Sequence, residues 1–288
     1  MLDIFNHKKL HIQGHRGARG LLPENTIESC MEAIRRGVDG IEIDVVVSKD
    51  GQIVVSHEPW MSSQICSFPD GKPVEKNNLR LRDMDYAEIK KYDCGLRGHP
   101  KFPNQKPIKC YKPTLYELLN RVQQLNTVND LSEKPVSSKP FFNIEIKSLP
   151  LYYRRYVPPP HEFVNLLKDS LSKMPKNAFY ISSFDPQVLR VVRREMPKVP
   201  VAFLTENILG VDLNIRRLGF IPNMYSPYHR FMSIKTVKKA HKLGMKVVTW
   251  TVNDMKDFRK MQNWGVDGVI TDYPPLATGL SANLDSSL

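Results

Sequence analysis

The chain has 288 residues and 41% hydrophobic content, which suits one domain the size of an α/β barrel. Its 42 Lys and Arg against 30 Asp and Glu give +12, a charge that draws anions, whether phosphate esters or a lipid surface, or simply keeps a basic surface soluble. The basic residues are spread out with no arm or helix-turn-helix spacing, so no nucleic acid is expected. Four separated cysteines without a CxxC argue against zinc.

The start Met1–Lys9 lacks the apolar stretch of a signal peptide, and no run is long enough for a transmembrane segment. A periplasmic location is expected if a signal was removed, a cytoplasmic one otherwise. Short apolar runs then alternate with amphipathic segments, the rhythm of βα units around a parallel sheet. Leu10–Gly14 is a strand. Asn25 or Thr26 caps a helix to Arg36, with Ile27, Cys30, Met31 and Ile34 at helical spacing, and Gly37 stops it. Gly40–Val47 is a second strand. Lys49-Asp50-Gly51 has hairpin chemistry and leads to a short return strand, Ile53–Ser56.

From about 59 to 113 the pattern breaks into Pro, Asn, Lys and Asp, with one helix near Asp85–Lys91. This stretch is an insertion in a βα loop, and it covers or flanks the site that such loops build. It holds Cys66, Cys94 and Cys110, where a disulfide could form, although free buried thiols are the default.

Regular units resume with a helix capped by Thr114 and running to Leu125, and a strand at Phe141–Ile146. Next come a helix at His161–Ser172, a strand at Ala178–Ile181 and a helix from Pro186 to Glu195. Val201–Leu204 is a strand, 207–218 a partly helical stretch and Pro222–Tyr225 a poor strand. Ser233–Leu243 is a helix, Lys246–Thr249 a strand, Asp254–Trp264 a helix and Gly268–Ile270 the last strand. With the poor strand counted there are eight barrel strands, which favours a closed (β/α)8 barrel over an open sheet.

Glu42 and Asp44 stand two apart on one strand, so they share a face. Two like charges on an otherwise apolar strand are costly unless a cation compensates them. Glu145 repeats the arrangement within Asn143-Ile144-Glu145-Ile146-Lys147. Three carboxylates at strand ends make a hard oxygen site for Mg2+ or Ca2+; the alternative is structural ion pairing, as of Glu145 with Lys147. His15 and His57 each leave a strand in the same region and suit proton transfer at an attacking and a leaving oxygen. Arg16 and Lys147 are the cations a phosphate would need, unless Arg16 forms only a surface ion pair.

These residues fall in linked phrases: His15-Arg16-Gly17, Pro23-Glu24-Asn25-Thr26, Glu42-Ile43-Asp44-Val45 and His57-Glu58. Lys112-Pro113-Thr114, Ser183-Phe184-Asp185, Trp250-Thr251-Val252-Asn253 and Thr271-Asp272-Tyr273-Pro274 follow in order. Over roughly residues 10 to 277 the chain resembles the glycerophosphodiester phosphodiesterases, departing at Glu58 where aspartate is usual.

The resemblance implies a TIM-like barrel spanning 1–288 as a single domain, and hydrolysis of glycerophosphodiesters to glycerol 3-phosphate and an alcohol. It implies His15 and His57 as the acid–base pair and Glu42, Asp44 and Glu145 as ligands of a divalent metal. Arg16 and Lys147 would hold phosphate, with Phe184 and Trp250 walling the glycerol side. Each aromatic could equally be ordinary core. Glu24 supports the His15 loop or, more plainly, serves the helix start. The route runs through a cyclic phosphate made by the 2-hydroxyl, with direct attack by water left open. A lysophospholipase D using the same site is the alternative, suggested by the basic surface and the loop around Trp60-Met61.

Overall fold

Eight parallel strands close on themselves because β1 (His11–His15) pairs with both β2 (Gly40–Val47) and β9 (Gly268–Thr271). In this computed structural model the described residues are 10–124, 140–174 and 178–274. Around the barrel the order runs β1, β9, β8 (Lys246–Thr249), β7 (Met224–Pro227), β6 (Val201–Thr205), β5 (Phe179–Ser183), β4 (Phe141–Ile146), β2. β3 (Ile53–Val55) is the return strand and pairs antiparallel with β2 outside the barrel. The architecture is a TIM-like (β/α)8 barrel.

The strands are buried on both faces, so their side chains divide by parity. On β2, Ile41, Ile43 and Val45 join the large core between sheet and helices. Their partners there come from α1 (Ile27–Arg35), α3 (Leu115–Gln123), α4 (Pro160–Ser170) and α5 (Pro186–Glu195). α6 (Gly210–Leu218), α7 (Ile234–Lys242) and α8 (Met255–Trp264) complete the ring. Inward-facing Phe141, Tyr180, Ala202, Met224, Val248 and Ile270 form a separate plug inside the barrel. Gln13, Asn143, Tyr180 and Ser182 add hydrogen bonds between staves: Ser182 Oγ donates to Asn143 Oδ1 at 2.7 Å, and Tyr180 Oη to Gln13 Oε1 at 2.9 Å.

Caps explain the helix starts. Thr26 Oγ1 accepts from Ser29 N–H, and Thr114 forms a capping box with Glu117. Asp185 and Asp254 cap α5 and α8, and Pro stands in the first turn of α5. The weak strand in the sequence is real, but it begins at Met224, beyond Pro222. The partly helical stretch becomes a helix only from Gly210.

The insertion leaves β3 and returns to it, since Val55 N–H donates to Pro113 O at 2.8 Å. It has its own apolar cluster, including Met61, Leu81 and Ile89, which packs on Val46 and Val54 of the hairpin. Its one α-helix is short, α2 (Tyr86–Ile89). All four cysteines are free and buried. Leu125, where the sequence ends α3, lies outside the described residues, as does the Met1–Lys9 start.

Candidate active site

The chain leaves β1 through two left-handed residues, Arg16 at φ 51° and Gly17 at φ 86°. A Cβ at position 17 would lie 2.6 Å from the carbonyl carbon of Ser29, so this turn requires glycine. The turn points the backbone N–H of Arg16 at Glu42 Oε2, 2.9 Å away. The Arg16 side chain donates to Glu24 Oε1 at 2.8 Å and lies 3.2 Å from Asp44 Oδ2. It is a buried ion pair, not a surface one.

Strand register assembles the acidic group. His15 lies beside Glu42, and Asp44 beside Glu145. Oxygens of Glu42, Asp44 and Glu145 all fall within 4.8 Å of one another. Lys147 Nζ lies 2.6 Å from Glu145 and 3.6 Å from Asp44. Asn25 donates to Asp44 Oδ2 at 2.9 Å and accepts from its N–H at 3.2 Å.

Burial would raise the Asp44 carboxyl, but Arg16 and Lys147 outweigh it and hold Asp44 well below the carboxylate range. At Glu42 the pull of Arg16 is outweighed. Burial, then Asp44 and Glu145, push its carboxyl well above the usual value. Its Oε1 is buried with no hydrogen-bond partner. Three hard oxygen donors, one of them unpartnered, fit a divalent cation such as Mg2+ or Ca2+. The Lys147–Glu145 ion pair expected as the alternative is also present, so the two readings coexist.

His15 Nδ1 lies 2.6 Å from Asp272 Oδ1. Burial alone would raise Asp272, but His15 and Arg19 hold it below the usual range, so the carboxylate accepts and His15 Nδ1 donates. Asn253 grips Asp272 twice: its Nδ2 donates at 2.6 Å and its Oδ1 accepts the Asp272 N–H at 2.9 Å. Burial lowers the His15 pKa, and Asp272 only partly restores it. His57 Nδ1 lies 2.8 Å from Glu58 Oε1. Burial opposes ionisation of Glu58, but the His57 hydrogen bond and Lys112 lower its pKa to about 2. In both histidines Nδ1 is thus held by a carboxylate, and His15 Nε2 lies 3.9 Å from Glu42 Oε2.

The pocket between them holds about 210 Å³ and is lined by His15, His57, Glu42, Glu145, Arg16 and Lys147. Phe184 and Trp250 form one wall, their rings edge to face at 5.4 Å, and Leu204 and Ile270 lie deeper. Both aromatics thus face the pocket. Trp250 is fixed by Nε1 donating to Ser226 O at 3.0 Å.

Of the candidate acid–base, metal and substrate residues (His15, His57, Glu42, Asp44, Glu145, Arg16, Lys147, Phe184 and Trp250), all line this pocket except Asp44, which is 1% exposed. Glu24 does not cap α1; Thr26 does. Glu24 instead receives Arg16, with Arg19 at 3.4 Å, so the helix-start reading is corrected to support of the His15 loop. Asp272, Asn253 and Lys112 stand in the phrases that carry the resemblance, yet the sequence offered no role for them, and Asn25, read there as a possible helix cap, instead holds Asp44 while Thr26 caps. Arg19, in the same turn, lines the pocket and stacks on Phe102 of the insertion at 4.6 Å.

The family model described as "Glycerophosphoryl diester phosphodiesterase family" matches residues 15–276, from His15 itself to just past β9. The chain belongs to this family. A glycerophosphodiester phosphodiesterase of Caldanaerobacter subterraneus is 30% identical over 92% of this chain and 95% of its own. A crystal structure from Silicibacter pomeroyi superimposes with a TM-score of 0.85 at 27% identity, covering 99% of both chains. A mouse lysophospholipase D is 24% identical over 90% of this chain and 82% of its own. The protein is a phosphodiesterase of the glycerophosphoryl diester phosphodiesterase family.

Proposed function

We propose that the protein hydrolyses glycerophosphodiesters to glycerol 3-phosphate and an alcohol, with His15 and His57 as the acid–base pair. The supporting observation is the pairing of two imidazoles, each with Nδ1 held by a carboxylate, across one pocket lined by Arg16 and Lys147. Glu42, Asp44 and Glu145 would hold the divalent ion, which when bound offsets charge on the phosphoryl oxygens and lowers the pKa of a nearby hydroxyl. Arg16 offers a planar fork and Lys147 a point charge to the phosphate. Phe184 and Trp250 give the glycerol carbons an apolar wall.

One imidazole takes the proton of the substrate 2-hydroxyl as that oxygen bonds to phosphorus. The other protonates the departing alkoxide as its P–O bond breaks. The 2-hydroxyl is favoured over water because an attack within one bound molecule carries a high effective molarity. Water then opens the cyclic phosphate with the histidine roles exchanged, and glycerol 3-phosphate leaves. A 2-deoxy analogue tests this route directly. It is expected to resist cleavage while still competing with glycerophosphocholine; turnover at the normal rate would assign the attack to water.

A second reading, cleavage of lysolipid headgroups, is supported by the mouse relative and by the apolar side of the pocket mouth. It is distinguished by the rate on lysophosphatidylcholine relative to glycerophosphocholine.

A further inference from the structure

The pocket opens at the C-terminal ends of the barrel strands, and the rim there has two unlike halves. Over β2 and β3 it is roofed by the insertion. Over the neighbouring staves β4, β5, β6 and β7 the insertion reaches only the β4 loop, where Trp60 packs edge to face on Tyr152 and Tyr156, and three of the four loops expose large apolar side chains. Leu149 and Leu151 follow β4, and Leu151 is 89% exposed. Ile208 and Leu209 follow β6, and Ile208 is 85% exposed. Phe231 follows β7 at 48%. Ordinary surfaces carry single exposed leucines. Five on three loops around one pocket mouth are a different pattern.

The β4 loop is not loose chain. Tyr152 N–H donates to Leu149 O at 2.8 Å, and Arg154 N–H to Val157 O at 2.8 Å. Tyr153 Oη donates to Asp185, the cap of α5. Leu151 is therefore held outward by an ordered turn.

Two of these loops are basic, whereas the β6 loop carries exposed Glu206 and no Lys or Arg between residues 206 and 209. Arg154 and Arg155 follow Leu151, Arg230 precedes Phe231, and all three are exposed. Segments 148–159 and 228–233 contain no Asp or Glu.

We propose that this apolar half of the rim docks on an anionic lipid surface, with Leu151 and Ile208 inserting among acyl chains and the arginines facing headgroups. Apolar tips with flanking arginines match an interface that is greasy inside and negative outside. A second copy of the chain fits poorly, because a two-fold contact would set these arginines against one another. Docking here would present the pocket mouth to lysolipid headgroups. For that substrate class it rests on the diester reading above, whereas the docking itself does not.

The test is flotation of the protein with vesicles of phosphatidylcholine alone or mixed with phosphatidylglycerol, beside glycerophosphocholine turnover. Wild type should float with the mixed vesicles and less with the neutral ones. Leu151→Asp with Ile208→Asp should weaken this by about tenfold or more. Arg154→Glu with Arg155→Glu should remove the preference for anionic lipid, worth about fivefold per arginine. Turnover of the soluble diester should stay within about twofold in both, since none of the four lines the pocket.

Folded wild type that floats with neither vesicle at low salt overturns the proposal, as do variants that float like wild type. So does a dimer in sedimentation that Leu151→Asp with Ile208→Asp dissociates, which would give the surface to a second copy. Flotation without any diester turnover would reject the hydrolase reading and leave the docking surface standing.

Discussion

His15 and His57 face one pocket from two differently built regions. His15 ends a barrel stave, is 14% exposed, and is held by Asp272 from the last stave, itself gripped twice by Asn253. His57 stands at the root of the insertion, is 31% exposed, and is held by the next residue in the chain, Glu58. Below it, Lys112 from the far end of the insertion donates to Ser56 Oγ at 2.9 Å, and Ser56 Oγ donates to Glu58 O at 2.7 Å. One imidazole is thus positioned by barrel closure, the other by a local turn that the insertion braces. The lesson is that two similar roles can differ in how rigidly the fold supports them.

The largest expected effect treats the two alike. His15→Ala and His57→Ala should each lower kcat by about 10²–10⁴, with an unchanged far-ultraviolet spectrum. Near-normal turnover by either would remove that histidine from the chemistry.

The next separates them. Asp272→Asn leaves His15 facing an amide that no longer requires its Nδ1 to donate, and kcat should fall by about 10²–10³. Glu58→Gln acts on a more exposed pair and should cost less than about tenfold. Equal losses would end the distinction between a barrel-held and a locally held imidazole.

Gly17→Ala tests the turn between His15 and α1. A side chain at φ 86° is strained, and its Cβ would meet Ser29 at 2.6 Å. A loss of about 1–3 kcal/mol in urea unfolding is expected. Stability equal to wild type would mean the turn relaxes freely.

Glu42→Gln gives the smallest shift in stability, and its sign is informative. Burial and the neighbouring carboxylates raise the folded pKa of Glu42 above its ordinary 4.5. In the metal-free protein the folded state then binds this proton more tightly than the unfolded chain. That stabilisation is complete below the ordinary value and is lost as pH rises through the folded one. In EDTA at pH 8, Glu42→Gln should therefore raise Tm, by about 2–4 °C for each kcal/mol recovered, while abolishing metal-dependent turnover. A fall in Tm would show Glu42 to be compensated already.

Much of the barrel was legible because its signals are local. Thr114 with Glu117, and Pro186 after Asp185, mark helix starts within a few residues. The period-two spacing of Glu42 and Asp44 sets both on one face without any knowledge of the fold. β7 was harder, since Pro222 and the polar Asn223 precede a strand of only four residues. The carboxylates were legible for the same local reason, each being a charge out of place on an apolar strand, and the histidines because each stands where a strand ends.

Their partners were not. Asp272 lies 257 positions from His15, and only the pairing of β1 with β9 brings them together. Glu24 misled because an acid ahead of a helix is ordinary, whereas the left-handed turn at Arg16 and Gly17 that folds the guanidinium back onto it leaves no periodic signal.

The most direct measurement is phosphorus NMR of glycerophosphocholine with the EDTA-stripped protein, then with Mg2+ or Ca2+ restored. No change without metal, and a glycerol 3-phosphate signal growing once metal returns, is the expected result. Equal turnover in EDTA, or no monoester with either ion from folded protein, would contradict a metal-assisted glycerophosphodiesterase at this site.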